Sequence, residues 1–394
     1  MIRKLPIIDA PVGCLCAMRA LANMGGSSPH EGFKSSLSET IKSKYLYLTS
    51  SATASFYLIL KALAKKSSRK EVILPAYTAG NLVVVVQKAG LKPVLCDIKF
   101  SDFNMDAEEA LKALCGDTLA VVPVHMFGVG MSDIGQLAER LPEGVFLIED
   151  CAQSMGTDIS GKAAGSFGDI SFFSFNRGKN LSLCGGGCIA TDNAELAQLL
   201  GEETKGLKAP GAIPEVLRLF RSLLVSLALN PYVYGMGYAL AAPFKSKKPP
   251  KNFAVRAMNS FKAACGISLM EKAEDLFGAR KMNAVFLADI LKNLKSITLP
   301  AMGRDSRIVF NRMPVLFREP AITQKVQKAL WKSGIESSRM YLQPLHHMFN
   351  LGYMHDEFPN ACYFAERVLT LPIHPSVTEE DLLKMADVII SEAG

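Results

Sequence analysis

Short runs rich in β-branched and aromatic residues recur between residues 45 and 192, and helical segments separate most of them. The runs are "YLYLTS", "EVILPAY", "KPVLCDI", "LAVVPVHMFG", "VFLIEDCA", "ISFFSF" and "GCIATD". Between them, "TASFYLILKALAKK", "AGNLVVVVQKAG" and "MSDIGQLAERL" carry apolar residues at three- and four-residue spacings, the period of a helix with one buried face. Strands separated by helices of this length pair in parallel, and both faces of the sheet are then covered. The expectation is a three-layer α/β domain with a mainly parallel sheet over residues 1–204. In such sheets ligands gather at the carboxyl ends of the strands, where helix N-termini also point.

The alternation stops after Thr204. Residues 222–244 carry no charged side chain, with Arg218 and Arg221 before them and Lys245, Lys247, Lys248 and Lys251 after. An apolar helical insertion over 205–252 is expected. About 20 apolar residues suffice to cross a bilayer, but Asn230, Pro231, Gly235 and Gly237 interrupt this run. Two short helices are therefore expected rather than one crossing. The flanking cations and Tyr232, Tyr234 and Tyr238 suit peripheral contact of 213–247 with an anionic membrane face. Packing on the protein's own dimer, or over its site, is the plainer reading of the run and stands slightly ahead of membrane contact. From Phe253 a long helical stretch leads into a smaller α+β region over 253–394. It contains the strand "RIVFNRMPVLF" and the helices "QKVQKALWKSG" and "EEDLLKMADVIISEA".

With 394 residues, 49% hydrophobic and 21% charged, the chain can bury a large core divided among domains. A net charge of +7 suits an anionic small molecule, a membrane surface or nucleic acid. The longest basic cluster, Lys245 to Lys251, has no interleaved aromatic platform, so no nucleic-acid partner is expected. Nine cysteines in no regular framework, and an opening without a signal-peptide pattern, point to free thiols in a reducing cytoplasm.

Two polar residues stand at strand ends. "VFLIEDCAQ" finishes an apolar strand on Glu149 and Asp150, and a buried carboxylate costs several kcal/mol unless a cation pairs with it. Lys179 follows the strand "ISFFSF". An aspartate and a lysine on strands of one parallel sheet suit pyridoxal phosphate, whose ring nitrogen needs a carboxylate and whose aldehyde needs an amine. "TSSATAS", residues 49–55, ends a strand and opens a helix, offering hydroxyls and backbone N–H groups to a phosphate; a plain Ser/Thr helix cap reads the same way. Ser174 adds a hydroxyl.

Other constellations carry less. The cysteines of "CGGGC" flank a glycine turn without a second ligand pair, and His346 and His347 point apart if the chain is extended there, so no metal is expected. No G-x-G-x-x-G follows the first strand, which removes a dinucleotide site.

Taken in order, "SSATAS", "LPAYTAGNLVVVVQKAGLKPVLCDI", "VPVHMFG", "IEDCAQSMG", "GDISFFSFNRGKNL" and "GGGCIATD" resemble the DegT-like (DegT/StrS) nucleotide-sugar aminotransferases of the aspartate aminotransferase fold class. "SRMYLQPLHHM" and "GYMHDEFPNACYFAERVLTLPIHPSVTEEDL" extend the likeness to the C-terminal region, leaving out about 205–252. The resemblance implies that Lys179 bonds to the cofactor aldehyde and that Asp150 keeps the pyridine nitrogen protonated. It places Gln153 beside the ring, Ala52, Thr53 and Ser174 at the phosphate, and Tyr77 near the cofactor. His125, Tyr341 and His346 would face the substrate, although a satisfied core histidine reads equally well for His125.

It further implies transfer of an amino group from a donor such as glutamate to a keto-sugar on a nucleotide, by a homodimer. Related sugar dehydratases have histidine where Lys179 stands, and a non-catalytic regulatory protein is a third reading. Two positions depart from the pattern. Ala79 stands where an aromatic commonly stacks on the ring, and Val255 replaces an asparagine that reaches the neighbouring subunit's phosphate.

Overall fold

The computed structural model describes residues 3–9, 20, 28–183, 185–209, 220, 223–235, 252–301 and 306–394. Helix α1 (Pro29–Ile41) leads into strand β1 (Tyr45–Thr49), helix α2 (Ala52–Lys66), β2 (Glu71–Pro75), α3 (Asn81–Lys88) and β3 (Lys92–Cys96). Then follow α4 (Ala107–Lys112), β4 (Thr118–Val121), α5 (Ile134–Arg140) and β5 (Phe146–Asp150). A small hairpin, β6 (Asp158–Ile159) and β7 (Lys162–Ala163), precedes β8 (Ile170–Ser174), β9 (Gly187–Thr191) and α6 (Ala194–Lys205).

Seven strands form one sheet in the order β1-β9-β8-β5-β4-β2-β3. Strands β3, β2, β4, β5 and β8 are parallel, and β9 runs antiparallel to both β8 and β1. The reversal follows from the connection. No helix lies between β8 and β9, and without a crossover the returning strand can only pair antiparallel. Successive residues point to opposite faces, so Phe172 and Phe173 of β8 enter different cores: Phe172 stacks on Phe56 of α2, and Phe173 joins the core that holds Phe33 and Leu37 of α1.

Helix α7 (Ser260–Met270) packs along α1, and α8 (Ala273–Leu291) follows it. Met258, Ala263, Ala264, Cys265 and Phe277 thereby enter the core of the large domain, although they come after the insertion. The remainder of α8, from Ala284 to Leu291, belongs to the C-terminal core. That core carries an antiparallel sheet of β10 (Ile297–Thr298), β11 (Met313–Phe317) and β12 (Val368–Leu371). Around the sheet lie α9 (Pro320–Lys332), α10 (Leu345–Met348), α11 (Pro359–Arg367) and α12 (Glu379–Ala393).

The strand expected over "RIVFNRMPVLF" begins only at Met313. Its first half is held by the large domain instead: Val309 N–H donates to Thr157 Oγ1, Asn311 N–H to the Phe127 carbonyl, and Asn180 Nδ2 to the Val309 carbonyl.

Within the insertion, residues 223–228 and 231–235 are helical with a break at Leu229 and Asn230; the expectations for 210–219 and 236–251 lie outside the described residues. The Pro231 carbonyl accepts from Lys4 N–H at 2.9 Å, and the Tyr234 hydroxyl donates to Glu336 at 2.6 Å, so this part packs on the C-terminal domain. Phe220, Leu224, Leu227 and Tyr232 remain exposed. Among the described residues no helix is long and apolar enough to cross a membrane.

Candidate active site

Asp150 ends β5, and Lys179 follows the neighbouring parallel strand β8 by five residues, so both stand at the carboxyl edge of the sheet. Asp150 is buried; its Oδ1 accepts the Ala152 N–H at 2.9 Å, and Oδ2 receives no donor from the described residues. Burial pushes this carboxyl up to about 6, opposed by the Ala152 N–H and then by the charge of Lys179. Lys179 is half-buried, keeping part of its surface open. Desolvation lowers its amine to about 8; Asp150 opposes that shift and Arg312 reinforces it. A carboxylate and an amine are thus each moved toward neutrality, which marks a functional site more often than a structural ion pair.

The loop carrying Lys179 is pinned on both sides. Gly178 has φ +75°, and a Cβ there would sit 2.6 Å from Ile8 and 3.4 Å from the Arg312 guanidinium. Asn180, immediately after Lys179, binds the Met155 and Val309 carbonyls.

Glu149 faces the opposite way from Asp150, as strand alternation requires. It is fully buried and accepts from the N–H groups of Gly165, Phe167 and Gly168 and from His125 Nε2. His125 Nδ1 accepts from Met131 N–H at 3.1 Å, so the neutral ring with its proton on Nε2 satisfies both neighbours. Both nitrogens are occupied inside the protein, which is the core-histidine alternative.

Gln153 is buried; its Oε1 accepts from Phe127 N–H and Asn311 Nδ2, both at 3.2 Å, joining β5's exit to the C-terminal domain. Tyr77 is enclosed edge-on by Tyr341 and Phe364, and its hydroxyl meets the Tyr341 backbone at 3.3 Å. The Tyr341 phenol is pushed up by burial and then by the Asp150 carboxylate, with Arg312 opposing, which places it near Asp150. His346 contacts His347, Phe358, His355 and Cys362 instead.

A cradle for a phosphate lies at the start of α2. Ser51 caps the helix by accepting Ala54 N–H, so the first turn, Ala52 and Thr53, faces the strand ends with its backbone N–H groups. Thr53 Oγ1 accepts from Asn81 Nδ2, and Ser174 Oγ from Asn176 N–H. Gly187 closes the cradle: a Cβ there would lie 2.5 Å from Ala52 N and from Ser51 C, so only glycine lets β9 touch the helix start. Residues 254–257 run alongside, with Ser50 N–H donating to the Arg256 carbonyl.

Two site residues escaped the sequence reading. Arg312 is half-buried near Lys179; its guanidinium donates to Met340 Sδ at 3.4 Å, and among the described residues it forms no ion pair and its Nε has no acceptor. Its signal was a lone arginine directly before the fully buried strand β11. Lys262, in the first turn of α7, brings its Nζ within 2.7 Å of where a Cβ of Gly185 would stand. Nothing local distinguishes it from other helix lysines. Of the "CGGGC" cysteines, Cys188 is buried in β9, burial pushing its thiol up to about 12, and Cys184 lies outside the described residues.

A model of the DegT/DnrJ/EryC1/StrS aminotransferase family matches residues 22–389. The chain belongs to that family. It is a pyridoxal-phosphate-dependent aminotransferase. It is 30% identical over 361 residues to an uncharacterised protein of Methanocaldococcus jannaschii, covering 89% of this chain and 86% of that one. It is 29% identical over 342 residues to a UDP-N-acetyl-3-dehydro-alpha-D-glucosamine 3-aminotransferase of Acidithiobacillus ferrooxidans, covering 86% and 82%. In fold it matches S. venezuelae DesV, solved in complex with a ketimine intermediate, at TM-score 0.80 and 22% identity over 99% of both chains. The aminotransferase offers what the cofactor requires: a buried carboxylate with an oxygen to spare, an amine lowered toward neutrality, and a glycine-lined helix N-terminus.

Proposed function

We propose that this aminotransferase moves an amino group from an amino acid such as glutamate to a keto-sugar carried on a nucleotide. The observation that carries the reading is the Asp150–Lys179 pair, whose burial lowers the amine to about 8. Bound there, pyridoxal phosphate supplies an aldehyde that accepts the donor's amino group and a ring that spreads developing negative charge.

The chain's own residues do the rest. Lys179 holds the cofactor covalently at rest; displaced, its Nζ takes a proton from the substrate carbon as a base and returns one as an acid. Asp150, whose Oδ2 takes no donor from the described residues, would hold the cofactor's ring nitrogen in its protonated form. Ala52, Thr53 and Ser174 hold the phosphate, with Lys262 supplying positive charge where Val255 offers no polar group. Gln153, whose amide is held by Phe127, Asn311 and Met126, would border the ring. Arg312, a half-buried guanidinium without an ion pair among the described residues, suits the donor's carboxylate. Tyr341 borders the same space.

Relatives named for the amination of UDP-, GDP- and dTDP-linked sugars support the acceptor class. The test is a panel of nucleotide-linked keto-sugars offered with L-glutamate and read by mass spectrometry. An aminated nucleotide sugar is expected, and amination of free keto acids alone would defeat the reading.

We also propose a cytoplasmic homodimer with peripheral membrane contact through 213–247. The exposed Phe220, Leu224, Leu227 and Tyr232 and the flanking lysines support that contact. Flotation with anionic liposomes tests it: protein that stays at the bottom of the gradient, with or without 213–247, sinks the membrane part.

A further inference from the structure

Away from the cofactor site, a second set of side chains converges at the edge of the C-terminal domain. The helical turn α10 does not send His346 and His347 apart as an extended chain would. Both turn Nε2 to one atom, the carbonyl oxygen of His355, at 3.0 and 2.8 Å. Cys362, on α11, sets its Sγ 3.7 Å from each of these nitrogens and 3.6 Å from the same oxygen. We propose that His346, His347 and Cys362, closed by the His355 carbonyl, form a structural binding site for a zinc-type divalent ion.

The distances match such an ion. Zinc binds imidazole nitrogen at about 2.0–2.1 Å and thiolate at about 2.3 Å in a tetrahedron, which sets the nitrogen-to-sulfur edge at about 3.5–3.6 Å. Both edges measure 3.7 Å, and the nitrogen-to-oxygen edges need open by only a few tenths of an ångström. Hydrogen bonding accounts for the cluster less well. A carbonyl has two lone pairs, and here two imidazoles and a thiol all aim at one. As the nitrogens donate to that oxygen, neither is left to accept from the thiol. With a metal at the centre, each of the four atoms gives one lone pair and the conflict disappears.

The chemistry of the set selects the ion. Imidazole and thiolate favour zinc over magnesium or calcium, which take oxygen ligands. His347 and Cys362 are partly exposed, giving the ion a way in, and His346 is largely buried.

A metal here joins α10, the 349–358 loop and α11, elements that lean on the large domain beside the active site. Leu345 N–H donates to the Ala76 carbonyl next to Tyr77, and Asn360 and Ala361 N–H groups donate to Asp97 beyond β3. The ion would act as a staple holding this corner against the sheet, and it takes no part in the amino transfer.

The test uses the full-length holoenzyme. Metal is removed with a chelator, cobalt(II) is titrated in, and the visible d–d bands are followed, with zinc content measured on the untreated protein. A stoichiometric ion with the strong bands of a tetrahedral, thiolate-ligated site is expected. Cys362→Ser and the surface variant His347→Ala should each weaken binding by more than about tenfold. Weak octahedral bands, or equal binding in both variants and the parent, would show adventitious surface binding and overturn the assignment. So would a parent that takes up no cobalt and carries no zinc, leaving only a hydrogen-bonded knot.

Discussion

At the scale of single residues, the proposed chemistry turns on Lys179 and Asp150, whose ordinary charge states burial makes unfavourable. Lys179 attacks a carbonyl only when neutral, and its amine titrates near 8 instead of in the usual lysine range because burial outweighs the attraction of Asp150. Below about 8 most of the amine is protonated, so capture of pyridoxal phosphate by the cofactor-free enzyme should accelerate as pH rises toward 8 and then level off. Below about 6 Asp150 takes up a proton and no longer draws the cationic ring, so capture should be slowest there. Stopped-flow growth of the visible band of the lysine-linked cofactor measures this. A rate still climbing two units above pH 8 would mean that Lys179 titrates as an ordinary amine. Lys262 gives a second handle: Lys262→Met should weaken cofactor binding about fivefold to fiftyfold, the worth of one charge-assisted phosphate contact, while leaving the spectrum of the bound form unchanged. Equilibrium dialysis of the cofactor checks it, and an unchanged affinity removes Lys262 from the cradle.

At the scale of elements, the site depends on β9 meeting the first turn of α2. Gly187→Ala would put a Cβ 2.5 Å from backbone atoms of Ser51 and Ala52, neither of which can rotate away. The expected cost is about 1–3 kcal/mol of stability, with loosened cofactor binding, because the strand must back off from the cradle. Thermal denaturation and a cofactor titration of the variant test this; parent-like values in both would show that the contact does not shape the cradle.

The same elements show how much the sequence can say. The strands were legible because β-rich runs alternate with helical periods, and Asp150 and Lys179 stood out as polar residues closing apolar strands. The reversed direction of β9 was also within reach, since twelve residues without a helix separate it from β8. Other features were not legible. His346 and His347 look divergent in an extended chain and converge only because α10 coils. The first half of the "RIVFNRMPVLF" run is apolar enough for a strand, but its backbone groups are taken by Thr157, Phe127 and Asn180 of the large domain. Arg312 and Lys262 enter the site by tertiary packing, which no local pattern encodes.

At the scale of the whole molecule, Asp150 and Lys179 stand at the sheet's carboxyl edge, and the C-terminal domain reaches them through Asn311, which donates to Gln153, through Arg312, whose charge acts on Lys179, and through Tyr341, on which Asp150 acts. The segment 254–257 and the cradle lie side by side, and closed twofold assemblies are the commonest way for such a chain to complete its sites. Light scattering of the purified enzyme should return twice the chain mass of 42.7 kDa, and a fully active monomer would contradict the proposed dimer. The most direct test of the account is the first half of the reaction, followed in one cuvette. Enzyme loaded with pyridoxal phosphate is mixed with L-glutamate alone, and the visible band and 2-oxoglutarate are measured together. The account predicts that the band bleaches as one 2-oxoglutarate appears per site, and that Lys179→Ala, still folded, shows neither the band nor turnover. A band that survives in Lys179→Ala, or parent enzyme that binds the cofactor and leaves glutamate untouched, would contradict it.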